Sequence, residues 1–267
     1  MNSLVPQLAV QMYTVRDFTA TAADLAATLA KIRAIGYPAV QLSAVGAMAG
    51  DTPAVSAPQA RRMLDDHGLR CIATHRNWDN LAQNTDQEIV FHHELGCDFA
   101  AVGSLPRAYA EAGAAGYAAF ARDAAPVIAR LKEAGLRFGY HNHAHEFERV
   151  GFQNGGPRTL FDILVDEGGP DLCLELDLYW VGHAGLNPER LVARCAGRVP
   201  VIHVKDKEIA GGQPVMAPVG EGNLDWPRLL PACAAAGVEW YAVEQDVCRR
   251  DPFDCLASSF RFLSEMR

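Results

Sequence analysis

No stretch of the sequence approaches the roughly 18 consecutive apolar residues that a membrane-crossing helix requires. The N-terminal MNSLVPQLAVQMY has no basic segment followed by a long apolar one, so it does not read as a secretory leader, and a cytoplasmic protein is expected. Clusters of Lys and Arg are missing too. With 24 basic against 32 acidic side chains and a formal charge of −8, the chain offers no face for a phosphate backbone, and neither nucleic acid nor membrane is expected as a partner. Cysteine is present but unpaired in pattern: Cys71, Cys97, Cys173, Cys195, Cys233, Cys248 and Cys255 are odd in number and contain no CxxC. That argues against a disulfide framework or a zinc–cysteine knuckle and points to buried thiols in a reducing compartment. There is no HExxH, and no GxGxxG follows the first strand-like segment around QMYTVRD.

What is present is a rhythm. The 267 residues are 49% hydrophobic and 21% charged, enough for one large core, and the length is close to the roughly 250 residues of a closed barrel of eight βα units. A helical stretch ending in Gly, followed at once by a short apolar strand, recurs at Gly36, Gly68, Gly96, Gly135, Gly169, Gly197 and Gly237. Glycine suits the left-handed residue that ends a helix because it has no Cβ to clash. The segments that follow are PAVQLS, LRCIATH, CDFAAVG, LRFGYHN, PDLCLELD, RVPVIHVKD and VEWYAVEQD, with LAVQMYTVRD as an eighth at the start. Helices are predicted over 20–35, 56–67, 86–95, 118–134, 157–166, 187–196, 226–236 and 252–264. Strict alternation of this kind implies parallel pairing with right-handed crossovers, and the reading is a single α/β domain over 1–267, a (β/α)8 TIM barrel. An open doubly wound sheet is the alternative, and it usually has fewer strands and a glycine-rich phosphate turn.

In such a barrel the working groups project from the carboxyl ends of the strands. Those ends carry Gln11 and Arg16, Gln41, His75, His141-Asn142-His143, Glu175 and Asp177, His203-Val204-Lys205-Asp206, and Glu244 and Asp246; the fourth, AAVGS, has no titratable group. Imidazoles and carboxylates converging from several strands would bury unpaired charge unless a cation or dense hydrogen bonding compensated them. One divalent metal ion is therefore expected. Mixed His and carboxylate ligands suit Mn²⁺, Zn²⁺, Co²⁺ or Fe²⁺, with Mn²⁺ favoured, over Mg²⁺ or Ca²⁺. His75 and Trp78, in ATHRNWDNL, are predicted to line a substrate pocket, the aromatic face stacking on a sugar ring; the competing reading is a Trp that covers the barrel rim.

The phrases GYHNHAHEFE, LELDLYWVGHAG, VIHVKDK, PVGEGNLDW and AVEQD, in that order over residues 139 to 246, resemble the sugar phosphate isomerase/epimerase family. These are xylose-isomerase-like TIM barrels that include ketose 3-epimerases and the inosose dehydratase group. The resemblance implies one divalent cation with a ligand from each of strands five to eight, usually Glu, Asp, His and Glu. Asp177, His203 and Glu244 stand at the last three positions. His141 stands where many members have Glu, and Glu146 in AHEFE is the alternative first ligand or an acid/base beside the ion. His143 and His145 would hydrogen-bond behind the ligands, His143 close enough to contact substrate along with Glu175 and Asp206.

The implied activity is isomerisation or epimerisation of a keto sugar or related polyol through an enediolate. Glu244 and Glu146 would be the acid/bases, and Lys205, held by Asp206, would stabilise developing charge. Because epimerases of this kind use two carboxylates and His141 replaces one, a lyase or dehydratase acting on a keto sugar or keto-inositol is the alternative. An endonuclease-like enzyme, which would need more metals and a basic groove, and a non-catalytic sugar-binding protein are less favoured. Apart from Gly211-Gly212 and Arg249-Arg250, the loops after strands seven and eight show no glycine-and-arginine phosphate site, and a phosphorylated substrate is not expected.

Overall fold

The structure, a computed structural model, describes residues 3–153 and 156–266. Eight parallel strands close into a barrel, and each is paired with its neighbours in chain order: β1 (Leu8–Gln11), β2 (Ala39–Leu42), β3 (Arg70–His75), β4 (Phe99–Val102), β5 (Arg137–His141), β6 (Leu172–Asp177), β7 (Val201–Val204) and β8 (Trp240–Val243). β8 returns to β1 with Val10 opposite Val243, which closes the ring. The seven glycines that mark helix ends in the sequence all have positive φ, from +63° at Gly68 to +122° at Gly36.

Side chains on a strand alternate between the two faces. Outward residues such as Leu8, Val10, Val40 and Leu42 join a core cluster with helix residues Leu25, Leu29 and Ile32. Their inward neighbours Ala9, Ala39, Ala101, Val201 and Ala242 form a separate cluster with Ile72, Ala73 and Phe99, drawn from strands alone. This small-residue floor fills the barrel beneath its mouth. Phe99 fits because β5 supplies Gly139 beside it, where a Cβ would come within 2.3 Å of the ring.

Most helices match the predicted ranges, including Ala22–Ile35, Ala57–Asp66, Thr85–Leu95, Pro188–Arg194, Trp226–Ala235 and Pro252–Glu265. The helix expected at 118–134 begins earlier, at Gly113, and runs to Glu133. The one expected at 157–166 begins instead at Leu160, because Thr159 caps it with Asp162 at the third position while Gly156–Thr159 pairs as a strand with Arg149–Gln153. A second hairpin, Asp206–Ala210 with Gln213–Ala217, follows β7. No helix among the described residues is long and apolar enough to cross a membrane. The seven cysteines are free, and all but Cys173 and Cys248 are buried.

Candidate functional site

Continuing the inward face past the alanine floor gives the site. Two residues beyond each floor position lie Gln11 on β1 and Gln41 on β2, Gly103 just past β4, His203 on β7 and Glu244 just past β8. His141 on β5 pairs in register with Glu175 on β6, and Asp177, one step further up β6, pairs with His203. His141, Asp177, His203 and Glu244 are all buried, and one potential ligand atom from each lies within 4.8 Å of the others.

The hydrogen bonds beneath these groups fix how they face. Glu175 only accepts while ionised, so Gln41 turns its Nε2 toward Glu175 Oε1 (2.8 Å) and leaves its Oε1 to accept from His203 Nε2 (2.9 Å). That places one proton on Nε2, and in the imidazolium Nδ1 carries the other, donated to Glu244 Oε2 (2.9 Å), with Asp177 Oδ2 4.0 Å away. Gln11 Nε2 donates to Glu244 Oε1 at 2.8 Å and is itself aligned by the Tyr13 N–H, which donates to its Oε1 at 2.6 Å. Asp177 Oδ1 accepts from the Trp180 N–H at 3.2 Å, capping the helix Leu178–His183.

Charge is concentrated here. Lys205 is fully buried, with Nζ 2.7 Å from Glu244 Oε2, 2.9 Å from Asp177 Oδ2 and 3.0 Å from Asp246 Oδ2. Burial works against its ammonium, but the three carboxylates outweigh that and raise its pKa. Burial likewise opposes the His203 imidazolium, yet Glu175 and Glu244 hold its pKa up at about 10. Burial pushes Asp177 up to about 6 against the pull of Lys205 and His203, whereas at Glu244 these two cations overcome burial and keep the carboxyl ionised. Burial, together with the neighbouring His203, keeps His141 neutral.

Two buried polar atoms of the cluster, His141 Nδ1 and Asp177 Oδ2, have no aligned hydrogen-bond partner. Two imidazoles and two carboxylates converge there, and with His141 Nδ1 and Asp177 Oδ2 unspent they are a donor set that can hold a divalent ion once His203 gives up its Nδ1 proton. A second grouping, His143, His145 and Glu146, is less suited: the two rings stack with planes only 15° apart, so one ion cannot lie in the plane of both.

The other expected site residues separate into those at the mouth and those with different tasks. His75 is at the mouth, its Nε2 2.5 Å from Glu175 Oε2 and its Nδ1 3.2 Å from Ser43 Oγ. Gly103 leaves it room, since a Cβ there would come within 2.8 Å of His75 Nδ1. His143 sits half-buried near the Trp180 ring, its Nδ1 unpartnered, and burial lowers its pKa so that it is neutral. Glu175 does not face the mouth. It lies fully buried below it, with Oε2 close to His75, His203 (3.3 Å) and His141 (3.4 Å).

Glu146 is also displaced from its expected role. Its oxygens accept from Tyr140 Oη (2.8 Å) and the His143 N–H (2.8 Å), and Tyr140 points outward into the helix layer, so His141 rather than Glu146 stands in the four-residue cluster. Asp206 neither contacts substrate space nor holds Lys205. It is buried and accepts from the N–H groups of Lys207, Gly220, Gly222 and Leu224 and from Trp226 Nε1, which ties down the PVGEGNLDW loop. Trp78 lies in the outer layer: Asn77 caps a short helix, Trp78–Gln83, and the indole packs edge-on against Phe120 and Phe138.

The aromatic at the mouth is instead Trp180, flanking Lys205 Nζ at 5.6 Å and His143 at 5.7 Å between ring centroids. The sequence carried a signal for it, since Asp177 as a helix cap places the residue three positions on beside the cap's own carboxylate. Asp246, Gln11 and Gln41 were visible as polar strand ends, but their pairing with Lys205, Glu244 and Glu175 is long-range.

Comparison with known proteins follows this geometry. A protein-family model described as xylose isomerase-like TIM barrel matches residues 29–265. Among solved structures, a sugar phosphate isomerase/epimerase from Parabacteroides distasonis is 22% identical, with 97% of this chain and 93% of that one covered and a TM-score of 0.78. An L-ribulose 3-epimerase is 15% identical (96% and 93% covered, TM-score 0.69), and a probable 3-DHS dehydratase from Bacillus anthracis is 12% identical (98% and 100% covered, TM-score 0.70). At these identities the likeness is one of fold. No curated protein matches the sequence. The family model covers nearly the whole barrel, and the chain belongs to the xylose isomerase-like TIM barrel family.

Proposed function

We propose that the protein is a divalent-metal-dependent enzyme that isomerises or epimerises a keto sugar or related polyol through an enediolate. The observation that carries this is the buried convergence of His141, Asp177, His203 and Glu244 at the carboxyl end of a closed barrel. These four would hold the ion, Mn²⁺ being favoured, and when bound it would polarise the substrate carbonyl and so make the adjacent C–H acidic enough to ionise. Glu244 is the carboxylate we assign to take that proton, with Gln11 fixing Oε1 and leaving Oε2 toward His203 and Lys205. Neutral His143, its backbone N–H held by Glu146, is the second proton carrier, in the role that a second carboxylate would otherwise fill. Lys205 supplies a hydrogen-bond donor to developing negative charge, and Trp180 a face for the sugar C–H surface.

One observation favours a second reading. Glu244 is the cluster's only glutamate, and Glu146 is committed to Tyr140 and His143. A single strong base with an ammonium acid beside it suits abstraction followed by loss of a β-hydroxyl, as in a dehydratase. Purified protein of known metal content, incubated with keto sugars and keto-inositols in heavy water, tests both. Deuterium at the carbon next to the carbonyl with the formula otherwise retained means isomerase or epimerase. Loss of water from the product means lyase. Turnover of no member of either class, with no exchange, contradicts the proposal.

A further inference from the structure

Each carboxylate of the cluster commits one oxygen to the protein and presents the other. Glu244 Oε1 is taken by Gln11, and Asp177 Oδ1 by the Trp180 N–H. The other two oxygens, Glu244 Oε2, which also accepts from His203 Nδ1 at 2.9 Å, and Asp177 Oδ2, both lie against the Lys205 ammonium, at 2.7 and 2.9 Å. Neither is an aligned hydrogen bond of Nζ; its aligned bond runs to Asp246 Oδ2 at 3.0 Å. Asp246 also differs in place: its side chain is 26% exposed, against 0% for Asp177 and 4% for Glu244. The lysine therefore already has a better-aligned partner nearer the solvent.

Two cations sharing the same pair of buried oxygens repel each other at short range. On the reading that this cluster is a metal site, we propose that Lys205 is its resident counter-ion, competing with the divalent ion for Asp177 Oδ2 and Glu244 Oε2, and that loading the site moves its ammonium over to Asp246. The competition gives the lysine two tasks. While the site is empty, it adds to His203 the second counter-charge that two buried carboxylates need, and removing one partner of such a buried group is strongly destabilising. When the site fills, Lys205 turns toward the mouth, where Trp180 and Tyr179 already flank it, so the hydrogen-bond donor for the substrate oxyanion arrives together with the ion. By reciprocity, whatever weakens the lysine's hold on the two carboxylates strengthens binding of the ion.

Titrating Mn²⁺ calorimetrically into metal-stripped full-length protein tests this. Lys205→Gln should bind Mn²⁺ about tenfold or more tightly than wild type, as for two ligands in direct competition. Its apo form should melt lower than wild-type apo protein and gain more on saturation. Asp246→Asn removes the lysine's second seat, so it should weaken Mn²⁺ binding, and most of that loss should vanish when it is combined with Lys205→Gln. Equal or weaker binding by Lys205→Gln, with wild type binding one equivalent, would overturn the competition and leave the metal site standing; Lys205 would then be a support for the ligands. Absence of binding in both proteins would overturn the site reading and the competition together. Should Lys205→Gln not fold, Asp246→Asn decides alone, because Mn²⁺ affinity unchanged from wild type contradicts a lysine that must move to Asp246.

Discussion

The two halves of the barrel mouth are built from different chemistry. From β5 to β8 the inward positions carry His141, Asp177, His203 with Lys205, and Glu244 with Asp246, whereas from β1 to β4 they carry Gln11, Gln41, His75 and Gly103. The first half holds the charge and lone pairs that chemistry needs, and the second holds mostly neutral groups. Its amides work as clamps: Gln41 joins Glu175 to His203, and Gln11 holds Glu244. A neutral amide can donate to one partner and accept from another without adding charge to a site that already contains several ions, which is why it suits this task better than a lysine or an aspartate. The chemistry of one wall therefore depends on the hydrogen bonding of the other.

Breaking the charged half should have the largest effect. Asp177→Asn and His203→Ala should each lose most bound metal by elemental analysis and reduce turnover by about 10³-fold or more, since several kcal/mol of transition-state stabilisation leave with the ion. Breaking the neutral half should cost less but in the same property. Gln41→Leu leaves His203 free to change tautomer and Glu175 without a donor, so metal affinity should fall about 10- to 100-fold, measured by Mn²⁺ titration. If Gln41→Leu bound metal as wild type does, the amide wall would be mere packing.

Positions outside both halves sharpen the contrast. Glu146→Gln should retain its metal and lose less than about tenfold in turnover, because Gln keeps an oxygen that can accept from the His143 N–H. Trp78→Ala should leave kcat and KM unchanged while lowering stability by roughly 3–5 kcal/mol in denaturant unfolding, the cost of emptying an aromatic site in a core. The smallest effect concerns pH. His92, bonded to Thr74 Oγ1 and the Glu88 carbonyl behind β3, has its pKa lowered by burial. The unfolded chain therefore takes up a proton first as pH falls, so the His92 contribution to stability should be constant above about pH 6.5 and decline below it. His92→Gln should reduce that decline in a series of melting curves.

The barrel was legible because its signals are local: glycine at helix ends, short apolar strands and the strict alternation of helix with strand. The polar residues closing the strands exposed His141, Asp177, His203 and Glu244 as candidates, and the family resemblance assigned them ligand roles. What escaped was set by tertiary contacts. Asn77 caps a short helix that turns Trp78 away from the mouth, and Trp180 stands there instead. Asp206 reads as a partner for the adjacent Lys205, but successive strand residues point to opposite faces, and Asp246, 41 positions away, is the one that meets the lysine. Glu146 has the spacing to fold back as a ligand, but its oxygens accept from the outward-facing Tyr140 and from the His143 N–H, contacts that spacing does not reveal.

Anomalous diffraction from crystals of the Mn²⁺-loaded protein, recorded on both sides of the manganese edge, tests the central claim directly. One peak enclosed by His141, Asp177, His203 and Glu244, with the Lys205 ammonium drawn off toward Asp246, is the expected result. A peak beside His143, His145 and Glu146, or no peak among the four residues at saturating metal, would contradict it.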